Sequence, residues 1–461
     1  MELRAHFGLG ESVECRQHCF GGTVCQVPVL TPDHLARLCS RLCEARERHL
    51  QRLPVGEIVD LLDAAAAAWL RPEHPRRVLA LQALPQVTGY SPPMVAWALD
   101  QALGSLQRES LVPWLREELG DPGVLDEFRP RRSAPGRWRA LGPRLTTHFL
   151  AGNIPGLGLP ALSQSLLVKS ACLLKLPSGE PVLTPLFLET LAELEPSIGT
   201  CLAAAWWPGG TPDLEAAAMR QAEVVTATGD DTSVAALRGL VPPGARFLAH
   251  GHKVSFGLVG SEHRNGATAA EAAQDVAAHD QRGCLSPHLL YVEGSLGEAE
   301  EFAGRLYEAL RRMEASLPSG ERSVGELSSL QQSRALWELQ GAHLWPSDPA
   351  QAPPTVVLLQ DSSLELSPLG RAVLVKPIAH LEHLALDPAT ALSLQAFAGH
   401  IQTIGLAMDE PRRSRVAEVL TGLLRPARLC SLGQMQQPPW GWFQDGLPPL
   451  TSYLRFASLE E

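Results

Sequence analysis

The sequence predicts an α/β protein built around a parallel sheet, and two features of residues 146–318 carry this prediction. Short apolar segments such as THFLAGN, ACLLKLPS and EVVTATG alternate with longer segments whose apolar residues have helical spacing. Turns that contain proline or glycine separate these segments. Strands joined by helices pair in parallel, and ligands then bind in the loops after the carboxyl ends of the strands.

The composition indicates a globular protein of more than one domain, because 461 residues exceed one ordinary core. Residues are 45% hydrophobic and 19% charged, which argues against disorder. The net charge of -11 disfavours nucleic acid as a partner, since an acidic surface repels phosphate. The uncharged run from Phe149 to Val168 contains prolines, glycines and Asn153, so we expect no membrane span.

Further elements follow in order along the chain. Residues 1–120 are mostly helical, with VGEIVDLLDAAAAAWL as a strong run, and residues 121–143 are expected to form an irregular connection. Two strands, TVVLLQD and RAVLVKPI, are predicted in residues 355–378, and helices in residues 388–425. The tail, PPWGWFQDGLPPLTSYLRF, is expected to form a loop and a final strand.

Cysteine usage predicts a cytoplasmic protein with reduced thiols. The nine cysteines are an odd number, and the N-terminus, MELRAHFGLGESVECR, has no apolar segment of a signal peptide. The spacings among the first five cysteines are C-x3-C and C-x5-C, without a paired C-x2-C. Zinc ligation with help from His18 therefore stays a minor alternative, and we expect no metal site. Cys39 and Cys43 lie in a predicted amphipathic helix, where small buried thiols are expected.

One further cysteine, Cys284, is a candidate nucleophile. It lies in DQRGCLSP, a turn between a predicted helix and the strand HLLYVEG. A reactive thiol needs a lowered pKa, which a nearby cation such as Arg282 or His288 would supply. The alternative is an ordinary small residue in a turn.

Three loops after predicted strands hold candidate ligand-binding residues. Asn153, in AGNIPG, has a side-chain amide that can donate a hydrogen bond to an oxyanion. The alternative is an asparagine that is present for its turn preference. Lys175 ends the strand ACLLK, a position from which it could contact a cofactor ribose. The alternative is a surface lysine whose ammonium group reaches the solvent. Gly229 begins the turn after EVVTAT, and the helix that follows would face a pyrophosphate. No GxGxxG fingerprint is present.

The motifs AGNIPG, LLKLPSGEP, ATG and DQRGCLSP, in this order, resemble the aldehyde dehydrogenase superfamily. The tail LGQMQQPPWGWFQDG is similar to that of its acyl-CoA reductase branch, the LuxC family of bacterial luminescence systems. The match covers about residues 145–460. The resemblance implies an aldehyde-dehydrogenase-like α/β fold, with a parallel-sheet nucleotide-binding domain, an α/β catalytic domain and a small oligomerisation element.

The resemblance also implies boundaries and roles. A mostly helical N-terminal part would span residues 1–120, a nucleotide-binding domain 121–262, a catalytic domain 263–425, and a C-terminal segment with an oligomerisation strand 426–461. Cys284 would accept the acyl group, and Asn153 would form the oxyanion site with the backbone N–H of Cys284. Lys175 would contact the adenosine ribose, and Gly229 would mark the turn near the pyrophosphate. A homo-oligomer is expected.

Two departures from the family pattern refine the expected reaction. Where aldehyde-oxidising members have E-L-G-G-K, this chain has AHGHKVSFG, without the glutamate that activates water. Where NAD-preferring members often carry an acidic residue, this chain has Ser178, which leaves room for the 2′-phosphate of NADPH, with NADH as the alternative. Asp230 and Asp231 lie near the expected pyrophosphate turn and argue against a phosphate contact there, because carboxylates repel phosphate.

The resulting hypothesis is an NAD(P)H-dependent acyl-CoA reductase. Cys284 would attack acyl-CoA or a carrier-bound acyl thioester, and hydride from NADPH would release a fatty aldehyde. The alternative is a catalytically impaired acyl-binding or scaffold partner of the same fold, with a cofactor site broken by Asp230 and Asp231. An aldehyde oxidiser is a third option, but it needs a carboxylate near Cys284 that the sequence does not identify.

Overall fold

The chain folds into two compact units in the computed structural model, which describes residues 2–10, 13–131, 135–384 and 388–460. The first unit comprises residues 1–251 and 447–461, and the second comprises residues 252–446. These limits differ from the boundaries expected at residues 120, 262 and 425. At residue 120 the difference has a physical reason, because Leu35, Leu38 and Leu42 of the first N-terminal helix pack in one hydrophobic cluster with strands of the first unit.

The first unit contains a six-stranded sheet of order β1-β8-β7-β6-β9-β10, in which only β1 is antiparallel to its neighbour. Two smaller sheets accompany it. The strands in residues 1–251 of this unit are β1 His6–Phe7, β2 Cys15–Phe20, β3 Thr23–Pro28, β4 Arg129–Pro130, β5 Arg137–Leu141, β6 Leu145–Phe149, β7 Ala171–Leu176, β8 Leu202–Trp206, β9 Val224–Thr228 and β10 Arg246–His250.

Helices surround this sheet, and their termini carry recognisable caps. The side chains of Thr31 and Ser91 accept hydrogen bonds from the first turns of α1 and α4, each just before a proline. The helices of the first unit are α1 Pro32–Arg48, α2 Val55–Leu70, α3 Pro75–Thr88, α4 Pro92–Gly104, α5 Arg108–Leu119, α6 Gly158–Leu167, α7 Leu183–Leu194, α8 Pro196–Gly199, α9 Pro212–Met219 and α10 Asp231–Arg238.

The second unit contains a seven-stranded sheet of order β13-β14-β15-β12-β11-β16-β17, parallel except for β13. Its strands are β11 Val254–Val259, β12 Pro287–Glu293, β13 His343–Trp345, β14 Thr355–Leu358, β15 Ala372–Ile378, β16 Ile401–Ala407 and β17 Arg428–Ser431. Its helices are α11 Gly266–Ala277, α12 Leu296–Ser316, α13 Val324–Leu339, α14 Pro388–Ala396 and α15 Arg412–Leu424.

The alternation of strands and helices from residue 146 onward confirms the predicted α/β class. Two expectations were wrong. Residues 388–425, expected to be helical throughout, contain β16, and residues 121–143, expected to be irregular, contain β4 and β5. The predicted final strand, β18 (Arg455–Leu459), pairs with β5. Every residue of β16 is buried, so its sequence lacks the alternation that identifies a half-exposed strand.

The apolar run from Phe149 to Val168 divides into the end of β6, a loop and α6. Across the described part of the chain, none of the helices combines the length and the apolar character that crossing a bilayer requires.

A glycine next to β6 offers a test of packing in the first unit. A Cβ atom added at Gly142 would lie 1.6 Å from the carbonyl oxygen of Val168, so we expect Gly142→Ala to lower the free energy of unfolding by about 2 kcal/mol or more. The matched control is Gly56→Ala in α2, where the added Cβ meets nothing within 4 Å, and we expect no loss of stability. Urea denaturation followed by tryptophan fluorescence measures both, and equal midpoints for the two variants would contradict the prediction.

Candidate active site

Cys284 lies in a turn that leads into strand β12, as DQRGCLSP predicted, and its residue is exposed. His279 and the first two residues of DQRGCLSP, Asp280 and Gln281, have positive φ angles of 51°, 49° and 62°. Residues other than glycine rarely adopt this left-handed conformation, and a run of three persists only where surrounding contacts hold it. No residue type in this segment indicates the left-handed conformation, because none of the three residues is glycine.

Two buried side chains hold the left-handed segment. The Gln281 amide donates to the carbonyl oxygens of Pro287 and Ala372, each at 2.8 Å, and accepts from the Ala372 N–H at 2.9 Å. The Asp280 carboxylate accepts from the fully buried guanidinium of Arg371 at 2.9 Å. Pro287 begins β12 and Ala372 begins β15, so these bonds fix the segment to the sheet.

Ser255, a fully buried residue of β11, fixes the main chain of Cys284 itself. Its hydroxyl donates to the carbonyl oxygen of Cys284 at 2.7 Å and accepts from the N–H of Thr403 at 3.0 Å. The hydroxyl therefore joins the nucleophile turn to β11 and β16 together.

The side chain of Gln402 faces the sulfur. Its Nε2 lies 3.9 Å from Sγ of Cys284, and the residue is only 1% exposed. At the same site Lys253 forms an ion pair with Asp445, with 3.6 Å between Nζ and Oδ1, and donates to the Gly399 carbonyl at 2.9 Å. The surroundings of the thiol thus include an amide, an ammonium group and a carboxylate.

The pKa of the Cys284 thiol is raised to about 11, first by burial and then by the negative charge of Asp445. The Gln402 amide and the Lys253 ammonium group oppose this rise in pKa. Burial and an exposed residue are compatible, since a group can touch water while protein surrounds it on most sides. With a pKa of about 11, about one thiol in 10³ is ionised at pH 8, so the resting nucleophile is protonated.

The prediction that Arg282 or His288 lowers the thiol pKa is wrong. Arg282 forms an ion pair with Glu326 at 3.2 Å and is not among the groups that shift the Cys284 pKa. His288 is buried, and burial lowers its pKa to about 4, so it is neutral at physiological pH. Lys253 is the nearby cation instead, within the stretch AHGHKVSFG.

Asn153 is an exposed residue in the partly buried loop after β6, in the first unit. Its carbonyl oxygen accepts a hydrogen bond of 2.6 Å from the hydroxyl of Tyr90. The loop also approaches the loop after β7 closely, because a Cβ added at Gly152 would lie 2.9 Å from Cα of Gly179. Two of the predicted loops, AGNIPG and LPSGEP, therefore meet at the carboxyl ends of neighbouring parallel strands.

Glu180 organises the second of these loops. Its carboxylate is buried and accepts from the N–H groups of Val182 and Leu183 at 2.9 and 2.7 Å. Burial raises the pKa of this carboxyl to about 7, while bonds from these N–H groups and that of Gly156 oppose the rise. Because Gly156 belongs to the Asn153 loop, the carboxylate links the two loops.

Lys175 is buried at the end of β7, not a snorkelling surface lysine. Its Nζ lies 6.0 Å from the centre of the Trp207 ring, and burial lowers the pKa of its ammonium group, opposed by the charge of Glu215. The indole N–H of Trp207 is buried and has no hydrogen-bond partner among the residues the structure describes. Nearby, the Ser178 hydroxyl accepts from the indole N–H of Trp206 at 3.1 Å.

Gly229 follows β9, a direct neighbour of β6, and its N–H donates to the His250 carbonyl at 3.1 Å. A Cβ added at Gly229 would meet only Cβ of Ser233, at 3.9 Å, so the turn is open. The helix α10 that follows is already capped, since the Asp230 carboxylate accepts from the Ser233 N–H at 2.9 Å. The pyrophosphate contact expected at this turn would have to face that carboxylate.

The cysteines of residues 1–50 do not converge on a common point. Cys15, Cys19 and Cys25 lie on the β2–β3 hairpin, and Cys39 and Cys43 are buried in α1, as expected for small core thiols. One cluster of metal-ligating types occurs in the described part of the chain, and it contains no cysteine: the exposed Glu262 and Asp409 with the half-buried His263.

The residues of the nucleophile site that sequence reasoning missed are Ser255, Gln402, Lys253 and Asp445. Asp445 lies in the Asp-Gly element of the tail, which carried part of the family resemblance. Lys253 and Ser255 lie in AHGHKVSFG, the stretch that departs from the family pattern, and both stretches were a usable signal. Gln402 lies in a segment predicted to be helical, and no local signal marks it.

The fold is that of the aldehyde dehydrogenases. The chain superposes on aldehyde dehydrogenase 21 of Physcomitrella patens with a TM-score of 0.76 and 12% identity, over 100% of this chain and 98% of that one. The putative aldehyde dehydrogenase PutA of Anabaena variabilis gives a TM-score of 0.72 and 18% identity, over 95% of each chain. This confirms the fold class that the resemblance implied.

The chain belongs to the acyl-CoA reductase (LuxC) family, which it matches over residues 50–456. Its relatives include the long-chain acyl-protein thioester reductase of Photorhabdus laumondii, 25% identical over 375 residues, or 79% of this chain and 74% of that protein. The enzyme of the same description from Vibrio harveyi is 23% identical over 419 residues, or 89% and 84% of the two chains. The chain thus belongs to a family of acyl-CoA reductases, as the resemblance predicted.

The raised pKa of Cys284 predicts how fast iodoacetamide alkylates it. Only the thiolate reacts, so we expect the rate to rise about tenfold per pH unit from pH 8 to pH 10. Asp445→Asn removes a negative charge and should lower the apparent pKa, and Lys253→Met removes a positive charge and should raise it. Mass spectrometry of the Cys284 peptide separates this thiol from the exposed Cys15 and Cys19. Identical pH profiles for the three proteins would refute the electrostatic account.

Proposed function

We propose that this chain reduces a fatty acyl thioester, carried by coenzyme A or by a carrier protein, through a covalent thioester on Cys284 and with hydride from NADPH. The observation that carries the proposal is Cys284, an exposed residue whose turn is held by Gln281 and Ser255. A thiol is a strong nucleophile once ionised and a good leaving group from a tetrahedral centre. A fixed turn keeps the sulfur in one orientation for both steps.

The acyl transfer conserves protons. The Cys284 thiolate attacks the thioester carbonyl, a carbon–sulfur bond forms, and the carbonyl oxygen becomes negative. The bond to the departing thiol then breaks, and that thiolate takes up the proton which Cys284 released. We propose that the Asn153 amide and the Cys284 backbone N–H stabilise the oxyanion, because donors aimed at a developing charge lower the barrier most effectively.

The residues at the ends of β7 and β8 fit a dinucleotide. Lys175 and the unpartnered indole N–H of Trp207 are buried donors at the carboxyl ends of adjacent parallel strands, where ribose hydroxyls and phosphates bind in such sheets. When bound, the reduced nicotinamide supplies the hydride that the acyl carbon accepts. The Cys284 sulfur then leaves the tetrahedral centre and takes up a proton, which frees the aldehyde and restores the thiol.

The choice of NADPH over NADH rests on Ser178. A hydroxyl at this position carries no negative charge, and it leaves room for a 2′-phosphate that a carboxylate would repel. Gly229 is proposed near the pyrophosphate, since its turn is open and precedes a helix.

We propose that the three expected segments have separate roles. Residues 121–262 would bind the dinucleotide, residues 263–425 would carry the nucleophile, and residues 426–461 would support a homo-oligomer. The strand β18 lies at the edge of its sheet and exposes Phe456 and Leu459, which suits pairing between copies. All nine cysteines are unpaired, in keeping with a reducing cytoplasm.

A second candidate is a scaffold or acyl-binding protein that lacks reductase activity. It is favoured by one observation, the Asp230 carboxylate that caps α10 where a pyrophosphate would otherwise accept hydrogen bonds.

The covalent step is tested with a long-chain acyl-CoA and NADPH, by following aldehyde formation and the mass of the acyl-enzyme. Cys284→Ala should abolish both, while its affinity for NADPH stays unchanged. Asn153→Ala should lower the rate about a hundredfold, because it removes one oxyanion donor. The control Cys19→Ala, at an exposed thiol of the β2–β3 hairpin, should behave as wild type. Equal cofactor consumption by wild type and Cys284→Ala would sink the proposal.

The cofactor site is tested by fluorescence titration with NADPH and with NADH. Lys175→Met should weaken the binding of both about tenfold, because it removes a buried donor. Ser178→Asp should weaken NADPH more than NADH, and the neutral control Ser178→Asn should leave the preference unchanged. If the wild-type chain binds neither dinucleotide, the scaffold candidate is correct instead.

A further inference from the structure

Gln402 lies at an irregularity in the sheet of the second unit. Along β11 and β16, Val254 is opposite Ile401 and Phe256 is opposite Ile404. Two residues of β16, Gln402 and its successor, therefore oppose the single residue Ser255 of β11. Such a bulge turns side chains away from their regular direction, and bulges are common next to active sites.

The Ser255 hydroxyl stabilises the bulge and also holds the nucleophile turn. The N–H of Thr403 is the group displaced from the regular ladder, and it donates to the Ser255 hydroxyl at 3.0 Å. The same hydroxyl donates to the carbonyl oxygen of Cys284 at 2.7 Å. The bulge and the Cys284 turn are thus held by one group, which fixes the Gln402 side chain relative to the sulfur.

The amide of Gln402 is incompletely satisfied. Its Oε1 is buried and has no hydrogen-bond partner within the described ranges of the chain, and its Nε2 has Sγ of Cys284 as partner at 3.9 Å. A buried amide oxygen without a partner costs free energy, so a function is the natural explanation for it. Within the described ranges no other hydrogen bond engages this amide, so its N–H is available to the sulfur.

We propose that Gln402 is a catalytic residue of the acyl transfer, whose side-chain amide is the hydrogen-bond partner of the Cys284 sulfur when the sulfur attacks and when it leaves. The inference rests on the proposed role of Cys284 as nucleophile. In the structure Nε2 of Gln402 lies 3.9 Å from the Cys284 sulfur. When the thiol proton is lost, this N–H donates to the negative sulfur, and it does so again as the tetrahedral centre expels the sulfur.

This role explains the choice of an amide. An N–H donor favours the ionised thiol, whereas a carboxylate at the same place would disfavour it by repulsion. A hydrogen bond to a charged group is among the strong ones, so its loss should change rates by about tenfold or more.

The test compares Gln402→Met, Gln402→Asn and Gln402→Glu with wild type. The methionine variant keeps the side-chain length without the amide, and the asparagine variant withdraws the amide by one methylene group. We expect Gln402→Met to raise the apparent pKa of Cys284 alkylation by about one unit, and to slow acyl transfer from long-chain acyl-CoA about tenfold at pH 8. The deficit should shrink at higher pH, where the thiolate forms without help. Gln402→Glu should be slower still.

The matched control is Thr403→Val, which removes the buried and unpartnered hydroxyl of the adjacent residue but keeps its N–H bond to Ser255. It should titrate and react as wild type. If Gln402→Met fails to fold, Gln402→Asn decides, with the same direction of change expected. Alkylation profiles and acyl-transfer rates equal to wild type in the folded variants would overturn the inference. Acyl transfer by Cys284→Ala would instead refute the proposed function.

Discussion

The hydroxyl group of Ser255 joins the turn of Cys284 to the sheet of the second unit, and the geometry of the site depends on this contact. It donates to the Cys284 carbonyl and accepts from the N–H of Thr403, so it serves the nucleophile turn and the bulge of β16 at once. The register of β11 shifts against both of its neighbours around this residue. A buried hydroxyl that loses its partners costs free energy, and the Ser255 hydroxyl uses both its donor and its acceptor capacity, which makes this arrangement specific.

The left-handed segment before Cys284 is the second part of the same constraint. Three successive residues with positive φ angles store strain, and the Gln281 amide and the Asp280–Arg371 ion pair help to offset it. Both contacts are buried, so breaking one would leave polar groups without partners in the interior. The position of the sulfur is therefore set by polar bonds within the sheet and not by the turn sequence alone.

The electrostatics of the thiol show a compromise between burial and reactivity. Burial and Asp445 favour the protonated form, while Lys253 and Gln402 favour the thiolate. A resting thiol is protected from oxidation, since the thiolate is the form that oxidants attack. In the first unit, burial likewise favours the neutral forms of Lys175 and Glu180, since it lowers the pKa of Lys175 and raises that of Glu180. Lys175 is a donor at the carboxyl ends of the strands, and Glu180 orders the pair of loops there.

The sequence by itself determined the α/β class, the turn that holds Cys284, the loops that hold Asn153 and Lys175, and the family, because these depend on local patterns of apolar residues, turns and motifs. It misplaced β16, since a fully buried strand has no alternation, and so it could not find Gln402. It also chose Arg282 and His288 as cations near the thiol, where the fold supplies Lys253 instead. Only the tertiary structure decided which side chains surround the sulfur, because bulges, buried hydrogen bonds and desolvation arise from segments far apart in the chain.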